Sequence, residues 1–460
     1  MDNLESPIRE VGQVNDHKVW VELFRLATAT APSSTLALGN IRRGSTLNGS
    51  IAIANSASSD GYSEVLKGFT TGTAFTGFTG IAGGASGNVA VSLLASAAGA
   101  NTATGTVALS STGIEGYADT ALSTTAITAT GYAYDLANPT HAADLAFGNV
   151  RTNATTTLAL TNTLRAGAVA AYQDDLAVVT TTANGLLAAT DPTNLLAGES
   201  KNITLRATGP GSLAGRINLA FSSAAQVAGV DVEGLTSVST SGSVDVTGAA
   251  YDFAVASHGT SVAFGNVRPN ATRNLSVTNV LLGADATYQD ALRVAATRSN
   301  GRLTLANPGA DIVAGQSANV VVTAATAGFL TDTINLALTS KAAAAGLGDA
   351  NLAAGTATVT GAVYDYAVAA VAATRALGNV RVGATANLSV GNTTVTSADF
   401  QDRLAVAATS SATGRLTVAD PATAIAAGTT GNVVLTAAAP GVLNGTDVSL
   451  VLTSQALAGT

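Results

Sequence analysis

The sequence of 460 residues contains no cysteine, one methionine and one tryptophan. Without cysteine there can be no disulfide framework, no thiolate metal site and no thiol nucleophile. Charged residues make up 11% of the chain and aromatic residues 4%, so any core must be built largely from small aliphatic side chains. These scarcities exclude a disulfide-stapled module and a thiol enzyme.

Positive charge and long apolar stretches are scarce as well. Lysine and arginine total 21 against 29 acidic residues, which gives a net charge of −8. Contact with a phosphate backbone requires a basic patch, so no nucleic-acid partner is expected. No segment reaches the roughly 18 uncharged apolar residues of a membrane helix. The most apolar region, residues 362–380, contains Asp365 and Arg375, and no membrane span is predicted.

Alanine, threonine, glycine, valine, leucine and serine dominate the sequence. Apolar and polar residues alternate with a period of two, as in residues 334–339, which is typical of β-strands and not of helices. A chain of this length is expected to divide into several domains. Thin layers packed from small side chains favour β-sandwiches for those domains.

An internal repeat is the strongest signal in the sequence. An apolar residue followed by Gly-Asn-Ile/Val-Arg occurs four times, with its glycines at intervals of 109, 117 and 113 residues. These intervals match the length of one sandwich domain. The four copies of the motif are Leu38 to Arg42, Phe147 to Arg151, Phe264 to Arg268 and Leu377 to Arg381.

Further landmarks follow the motif within each repeat. Asn184-Gly185 and Asn300-Gly301 are the dipeptide favoured in tight hairpins. An aromatic-Gln-Asp sequence recurs in three repeats, and Tyr62-Ser63-Glu64 takes its place in the first. Each repeat is therefore predicted to consist of about seven short strands joined by turns. The three aromatic-Gln-Asp sequences are Tyr172-Gln173-Asp174, Tyr288-Gln289-Asp290 and Phe400-Gln401-Asp402.

These motifs resemble the bacterial choice-of-anchor D repeats, immunoglobulin-like modules of secreted and surface proteins. That family shows a Phe-Gly-Asn-Val-Arg-x-Gly start and a Thr-x-Thr-Asn-Thr strand, and the resemblance covers nearly the whole chain from about Ser33. It implies an immunoglobulin-like fold and an extracellular or cell-surface location. No defined activity comes with the family. No cell-wall or membrane anchor follows Thr460, in contrast to many of its members, so direct attachment is not expected.

The predicted fold is all-β, a tandem array of four immunoglobulin-like β-sandwich domains with an extra N-terminal strand. Residues 1–32 form a tail and the extra strand. The fourth repeat is predicted to lack its closing strand. Repeats 1 to 4 span residues 33–140, 141–257, 258–369 and 370–460.

The two ends of the chain are complementary. The fourth repeat stops at residues 448–454, which correspond to residues 334–340 of the third, before a closing strand would begin. Residues 17–27, ahead of the first repeat, align without gaps to the closing strands, and Phe24 then matches tyrosines of those strands. The closing strands lie at residues 127–137, 244–254 and 357–367, and the matching tyrosines are Tyr134, Tyr251 and Tyr364.

An open sandwich exposes unpaired backbone groups and recruits any available strand. A lone apolar strand needs a core, because burying each large apolar side chain contributes about 1.5–3 kcal/mol. Four sandwiches separate the two ends, so the expected partner of each end is a second copy of the chain. The predicted donor residues are Val19, Trp20, Val21, Leu23, Phe24 and Leu26, and the predicted acceptor residues are Leu377, Val448, Leu450 and Leu452.

Head-to-tail strand exchange that does not close into a ring produces an open filament. The predicted function is therefore that of a non-enzymatic structural subunit of an extracellular filament, a homopolymer that meets a host or cell surface. Two other interpretations of the ends are open. The extra strand pairs with a free edge of the first repeat, or the chain is part of a longer array. The alternative function is a monomeric stalk of a larger bacterial surface adhesin.

Residues able to carry chemistry are few and scattered. His17, His141 and His258 lie at junctions of different domains and are interpreted as linker residues, so no metal site is expected. Asp174-Asp175 falls short of the oxygen cage that calcium needs, and no turn positions a catalytic nucleophile. The Gln-Asp pairs recur in three modules and the motif arginines in all four, and both are interpreted as turn or corner contacts. We predict no catalytic residue and no cofactor.

Overall fold

The computed structural model describes residues 18–19, 21–412, 414–443, 445 and 447–457. It confirms the predicted fold class, because strands build most of this part of the chain and no α-helix occurs in it. Single turns of 3₁₀ helix occur at Ala170–Tyr172, Ala286–Tyr288 and Ala398–Phe400, directly before three of the Gln-Asp pairs. The chain is a tandem series of β-sandwiches.

The strands are assigned to the repeats in chain order. Repeat 1 holds β1 (Thr35–Arg42), β2 (Thr46–Ala54), β3 (Leu66–Thr70), β4 (Phe75–Thr76), β5 (Phe78–Ile81), β6 (Ser86–Leu94), β7 (Gly99–Ser111) and β8 (Thr120–Tyr134). Repeat 2 holds β9 (Pro139–His141), β10 (Asp144–Arg151), β11 (Thr155–Asn162), β12 (Leu176–Thr182), β13 (Leu187–Thr190), β14 (Ser200–Ala207), β15 (Gly211–Ser212), β16 (Gly215–Ser223), β17 (Gln226–Val227), β18 (Val230–Asp231) and β19 (Val238–Tyr251).

The second half of the chain continues the same pattern. Repeat 3 holds β20 (Ala256–His258), β21 (Ser261–Val267), β22 (Thr272–Asn279), β23 (Ala291–Arg298), β24 (Leu303–Ala306), β25 (Ser317–Ala324), β26 (Gly328–Lys341), β27 (Ala350–Asn351) and β28 (Gly355–Val363). Repeat 4 holds β29 (Ala369–Val371), β30 (Thr385–Asn392), β31 (Arg403–Ser410), β32 (Leu416–Ala419), β33 (Thr430–Ala437) and β34 (Val448–Gln455).

The third repeat shows the arrangement of the two sheets in full. One sheet has the order β20-β22-β25-β24 and the other the order β21-β28-β26-β23. β21, which carries the Gly-Asn-Val-Arg motif, runs parallel to the closing strand β28, and the register shifts at Gly265. Gly265 has a φ of +68°, a left-handed conformation that glycine adopts without steric cost. The motif glycine therefore allows the bulge between these two strands.

The core of this repeat lies between its two sheets. Ile334 and Leu336 of β26, Val359 of β28 and Val322 of β25 are at most 1% exposed and belong to one apolar cluster. They lie at alternate positions of their strands, as the period of two predicts. Small aliphatic residues therefore fill the sandwich.

The fourth repeat has only one complete sheet in the part of the chain that the structure describes. Its sheet β29-β30-β33-β32 matches that of the third repeat, whereas the second sheet consists of β31 and β34 alone. The motif at Leu377 to Arg381 forms no strand. In repeats 1 and 3 the motif strand pairs with the closing strand, and no closing strand follows β34 within the described residues.

The chain divides into two compact units. The first comprises Met1–Phe147, Thr155–Thr208 and Leu213–Thr247, and it contains repeat 1 and most of repeat 2. The second comprises Gly148–Ala154, Gly209–Ser212 and Gly248–Thr460, and it contains repeats 3 and 4. The motif arginine of repeat 2, Arg151, thus belongs to the same unit as repeat 3.

The two Asn-Gly dipeptides do not form the tight hairpins that the sequence predicts. Asn184-Gly185 connects β12 with β13, and Asn300-Gly301 connects β23 with β24. In each case the two strands lie in different sheets, where they pair with other neighbours. These turns therefore carry the chain from one sheet to the other.

The junction histidines belong to strands and not to linkers. His141 is the last residue of β9 and His258 the last residue of β20. Both strands pair with the third strand of their repeat, β11 and β22. Because these edge strands begin at Pro139 and Ala256, repeats 2 and 3 start shortly before the predicted boundaries. His17 lies outside the described residues.

Candidate inter-repeat interface

Each repeat holds the incoming chain through one serine near the end of a core strand. The serine hydroxyl accepts a hydrogen bond from the backbone amide of an alanine that precedes it by 84 to 87 residues, at 2.7–2.9 Å. The same hydroxyl donates to a buried carboxylate at 2.6–2.7 Å. From repeat 1 to repeat 4, the sets are Ala27, Ser111 and Glu64; Ala137, Ser223 and Asp174; Ala254, Ser340 and Asp290; and Ala367, Ser454 and Asp402.

An arginine from the preceding repeat reaches the same carboxylate in repeats 2 to 4. This arginine is the last residue of the Gly-Asn-Ile/Val-Arg motif, and its guanidinium lies 2.8–2.9 Å from a carboxylate oxygen. The carboxylates are 0% exposed and the arginines 20–22% exposed. The two recurring motifs of the sequence are thus the two halves of one inter-repeat contact. The ion pairs are Arg42–Asp174, Arg151–Asp290 and Arg268–Asp402.

Additional contacts position the guanidinium groups. Nη2 of Arg151 donates to the carbonyl oxygen of Gly348 at 2.9 Å. Arg151 also lies 4.1 Å from the ring centroid of Phe253, and Arg268 lies 4.4 Å from that of Tyr366, within the range of cation–π attraction. A buried carboxylate without a counter-ion would cost several kcal/mol. These contacts keep the counter-ion in place.

The ionisation of Asp402 reflects this environment. Burial raises the pKa of the Asp402 carboxyl, but hydrogen bonds from Arg268, Ser454 and the backbone amide of Leu457, together with the positive charge of Arg268, lower it by more. The pKa therefore lies below the usual value for an aspartate. The charged form, which pairs with the guanidinium, is the one that the folded junction stabilises.

An asparagine completes each junction, and in repeats 2 to 4 a glutamine joins it. In repeat 2 the amide of Asn162 donates to the carbonyl oxygen of Asp174 at 2.9 Å. Its side-chain oxygen accepts from the side chain of Gln173 and from the backbone amide of Asn138, both at 3.0 Å. Buried side chains therefore satisfy backbone groups of the linker that no strand pairs. The equivalent asparagines in repeats 1, 3 and 4 are Asn55, Asn279 and Asn392.

Two aromatic rings also pack across each junction. One ring comes from the end of the closing strand and the other from the residue two positions before the acidic side chain, with centroids 5.4–5.7 Å apart. Phe24 thus occupies the same position relative to repeat 1 as the closing-strand tyrosines do relative to the next repeats. The four pairs are Phe24–Tyr62, Tyr134–Tyr172, Tyr251–Tyr288 and Tyr364–Phe400.

The N-terminal segment docks on repeat 1 from Phe24 onward. The amide of Arg25 donates to the carbonyl oxygen of Tyr62 at 2.9 Å, and its carbonyl oxygen accepts from the amide of Glu64 at 3.0 Å. No strand is assigned to Lys18, Val19 or residues 21–24. Pairing of the extra strand with an edge of repeat 1 is therefore limited to its last residues.

Most of the predicted donor residues are exposed. Val19, Val21, Leu23 and Leu26 have 46–56% of their surface exposed, and Trp20 lies outside the described residues. Exposed apolar side chains concentrated on one short segment are typical of an interaction site.

The residues aligned with Val19 and Leu23 are buried in the internal closing strands. Their counterparts in β28 are Val359 and Val363, which are 1% and 0% exposed. The N-terminal segment therefore carries core-type side chains at two of the positions where a closing strand fills its sandwich.

Val21 departs from this match. It aligns with Gly361 of β28, which has a φ of +148°. A Cβ added to Gly361 would lie 2.6 Å from the carbonyl oxygen of Gly265. Valine is therefore larger than this position accepts in an internal repeat.

The fourth repeat contains an open groove where the other repeats hold a closing strand. The groove has a volume of about 860 Å³. Of the predicted acceptor residues, Leu377, Val448 and Leu450 line it, whereas Leu452 does not and is 39% exposed. Four further leucines line the groove: Leu388, Leu416, Leu435 and Leu443.

The sequence patterns single out the motif arginines and the Gln-Asp pairs, but not the serines and asparagines of the junctions. Each junction serine ends an alternating strand at the same place in its repeat, as in Thr339-Ser340 and Thr453-Ser454. This recurrence is the signal that would have revealed them.

No group of three or more histidine or acidic side chains within the described residues could hold a metal ion. A helix long and apolar enough to cross a membrane is also absent from that part of the chain.

No family model matches the chain, and no curated protein matches it in sequence. Among solved structures, it is similar to the human desmocollin-1 ectodomain, with 11% identity and a TM-score of 0.34 over 92% of this chain and 78% of the other. It is also similar to the D1–D4 ectodomain fragment of ICAM-5, with 12% identity and a TM-score of 0.27 over 94% and 98%. It is similar as well to FdeC, an Escherichia coli adhesin, with 12% identity and a TM-score of 0.24 over 73% of this chain and 99% of the other. TM-scores this low carry no argument about function.

Proposed function

We propose that this protein is a structural subunit of an extracellular filament, assembled head to tail by strand exchange between its N-terminal segment and its fourth repeat. One observation carries the proposal. The fourth repeat has an open apolar groove, and the other end of the chain has an exposed apolar segment that aligns and docks like a closing strand. Its location on the outside of a cell and its relationship to choice-of-anchor D repeats are parts of the same proposal.

The groove supports the acceptor role. Leu377 and Leu450 are partly exposed there, whereas their counterparts in repeat 3, Phe264 and Leu336, are 4% and 1% exposed. Within the described residues, β34 pairs with β31 alone and leaves its other edge open. An edge with unpaired backbone groups beside exposed apolar surface is a template for an incoming strand.

The N-terminal segment supports the donor role. Burial of Val19 and Leu23 would contribute about 1.5–3 kcal/mol each. Backbone hydrogen bonds to β34 and to residues 377–381 would restore the order of the second sheet seen in repeat 3. Strand exchange between copies would therefore fill the groove of one copy and bury the apolar side chains of the N-terminal segment of the other.

A monomeric stalk of a larger surface adhesin is the second candidate function. The three buried ion pairs favour it, because each one joins the last arginine of one Gly-Asn-Ile/Val-Arg motif to the buried carboxylate of the following repeat within one compact unit. A stalk needs such junctions but does not need assembly of copies.

Light scattering and negative-stain microscopy of the purified chain distinguish the two functions. A version that lacks residues 1–23 loses Val19 and Leu23 but keeps Phe24 to Ala27 on repeat 1. We expect it to form no filaments. A matched version that lacks residues 1–16 keeps the donor segment and should assemble like the full chain.

Two outcomes count against the filament. Filaments that persist without residues 1–23 would show that another contact assembles the chain. Monomers in all three samples would leave the stalk as the better account.

A further inference from the structure

Each end of the chain carries one half of a fourth junction. Arg381 ends the motif of repeat 4, at the position of Arg42, Arg151 and Arg268 in the other repeats. Glu64 lies in repeat 1 at the position of the junction aspartates. Among the residues that the structure describes, neither side chain has an oppositely charged partner within ion-pair distance.

Glu64 is already arranged as an acceptor. It is 8% exposed, and the hydroxyl of Ser111 donates to its carboxylate at 2.6 Å. Ser111 in turn accepts the amide of Ala27 at 2.7 Å. In repeats 2 to 4 the equivalent carboxylate, which also accepts from its serine, pairs with a guanidinium. Because a buried carboxylate without a counter-ion is costly, the site in repeat 1 lacks one component.

The motif at the other end supplies that component. Arg381 is exposed and lies on the segment that borders the open groove of repeat 4. In repeat 1 the strand β1 pairs Arg42 with Tyr134 of the closing strand. The same register in repeat 4 would place Arg381 beside Phe24 of the incoming strand, three residues before the alanine that binds Ser111.

The motif asparagine adds a second contact of the same kind. The side-chain amide of Asn40 donates to the backbone carbonyl oxygen of Glu233 at 3.0 Å. Glu233 lies in a loop of the following repeat. The loop of repeat 1 contains Ile114-Glu115-Gly116, a sequence similar to Val232-Glu233-Gly234, and the glycine of each has a positive φ. Asn379 therefore has a matching carbonyl at Glu115.

We propose that Arg381 of one copy forms an ion pair with Glu64 of the next copy, with Asn379 donating to the carbonyl oxygen of Glu115, so that the junction between copies reproduces the internal junctions. This inference rests on the proposed function. It adds a charged contact to the apolar contacts that the exchanged N-terminal segment would make. The partner is a second copy of this chain.

Charge reversal in full-length chains tests the ion pair. R381E alone and E64R alone each bring like charges together at the interface between copies. We expect each to raise the critical concentration for assembly, measured by light scattering, at least tenfold, since like charges at an interface cost several kcal/mol and tenfold corresponds to about 1.4 kcal/mol. An equal mixture of the two variants should assemble near the wild-type concentration, because every interface between unlike chains again joins opposite charges.

Circular dichroism would reveal whether E64R folds. If it does not, substitutions to glutamine, made singly and together, test the same ion pair. E64Q keeps a hydrogen-bond acceptor for Ser111 but removes the charge. We expect R381Q and E64Q each to raise the critical concentration on the order of tenfold, and the double variant to be no worse than either single one. Additive effects of the two substitutions would overturn the ion pair.

The variant L23D separates this inference from the proposed function. L23D places a charge on the N-terminal segment and should block strand exchange, whichever residues stand at positions 64 and 381. If the wild type assembles and L23D does not, but the mixture behaves like its components, strand exchange stands and the ion pair is wrong. If the wild type does not assemble at any concentration, the proposed function fails, and the ion pair between copies fails with it.

Discussion

At the scale of single residues, the cost of burying a carboxylate shapes every junction. Asp402 is 0% exposed and is surrounded by the guanidinium of Arg268, the hydroxyl of Ser454 and a backbone amide. The pair Arg293–Asp311, which is 56% and 29% exposed, has similar distances but lies in water, where an ion pair contributes about 0–1 kcal/mol. Burial, and not distance, separates a structural ion pair from a surface one.

We expect R268A to lower the free energy of unfolding of repeat 4 by about 2 kcal/mol, because Asp402 is left buried without its counter-ion. R293A is the matched control and should cost much less, because its ion pair with Asp311 is exposed to water. Urea denaturation combined with native-state hydrogen exchange measures both losses. Equal losses for the two variants would contradict the importance of burial.

The lowered pKa of the Asp402 carboxyl makes the stability of the fold depend on pH. Its pKa is lower in the folded chain than in the unfolded one, where aspartate titrates near 3.9. The stabilisation is therefore fully present above the unfolded pKa and is lost as the pH falls through the folded pKa. We expect the stability difference between wild type and D402N, from urea denaturation, to be constant between about pH 5 and 7 and to shrink below about pH 4. A difference that grows on acidification would show that the pKa is raised.

Both halves of the junction ion pair can be recognised in the sequence as recurring motifs, but their contact cannot. Arg268 and Asp402 lie a whole repeat apart, and the alternation of polar and apolar residues gives no information about which loops meet at a domain end. Recurrence identifies a structural position. Only the fold identifies its partner.

At the scale of strands, the period of two correctly predicts the core strands, but the motif segment shows its limit. The same motif forms strands β1, β10 and β21 and forms none at Leu377 to Arg381. The difference follows from the neighbour, since a strand needs a partner for its backbone groups. Strand propensity at this position is therefore conditional on a closing strand.

The amide of Val382 reports whether a closing strand is present. Its counterparts Arg43 and Thr152 donate to the carbonyl oxygens of Tyr134 and Tyr251 at 3.1 and 3.2 Å. In assembled chains we expect slow hydrogen exchange at Val382, and in the version lacking residues 1–23 we expect fast exchange. Equal exchange rates in the two samples would place the donor segment elsewhere.

Val21 tests the register of the exchanged strand. If it takes the place of Gly361, its side chain crowds the motif backbone at a cost of about 1 kcal/mol or more. V21G should then lower the critical concentration for assembly about fivefold, as measured by light scattering. V21A, which keeps a Cβ, is the matched control and should gain less. An increase in the critical concentration with V21G would indicate a different register.

At the scale of the whole molecule, the protein is a series of repeats whose junctions share one set of contacts. Inside the chain each junction combines a closing strand, an aromatic pair, a serine and an ion pair. The two ends of the chain divide these same components between them, with the strand and Glu64 at one end and the groove and Arg381 at the other. A filament of identical copies would therefore continue the internal pattern without a new type of contact.

The most direct test is the binding of an isolated donor segment to the groove. A peptide of residues 14–24 contains Trp20, the single tryptophan of the chain, whereas the version lacking residues 1–23 has none. Tryptophan fluorescence anisotropy of the peptide therefore reports its binding alone. We predict a saturable rise in anisotropy with the natural peptide and none with a V19D/L23D peptide. No rise with the natural peptide, or an equal rise with both, would contradict strand exchange.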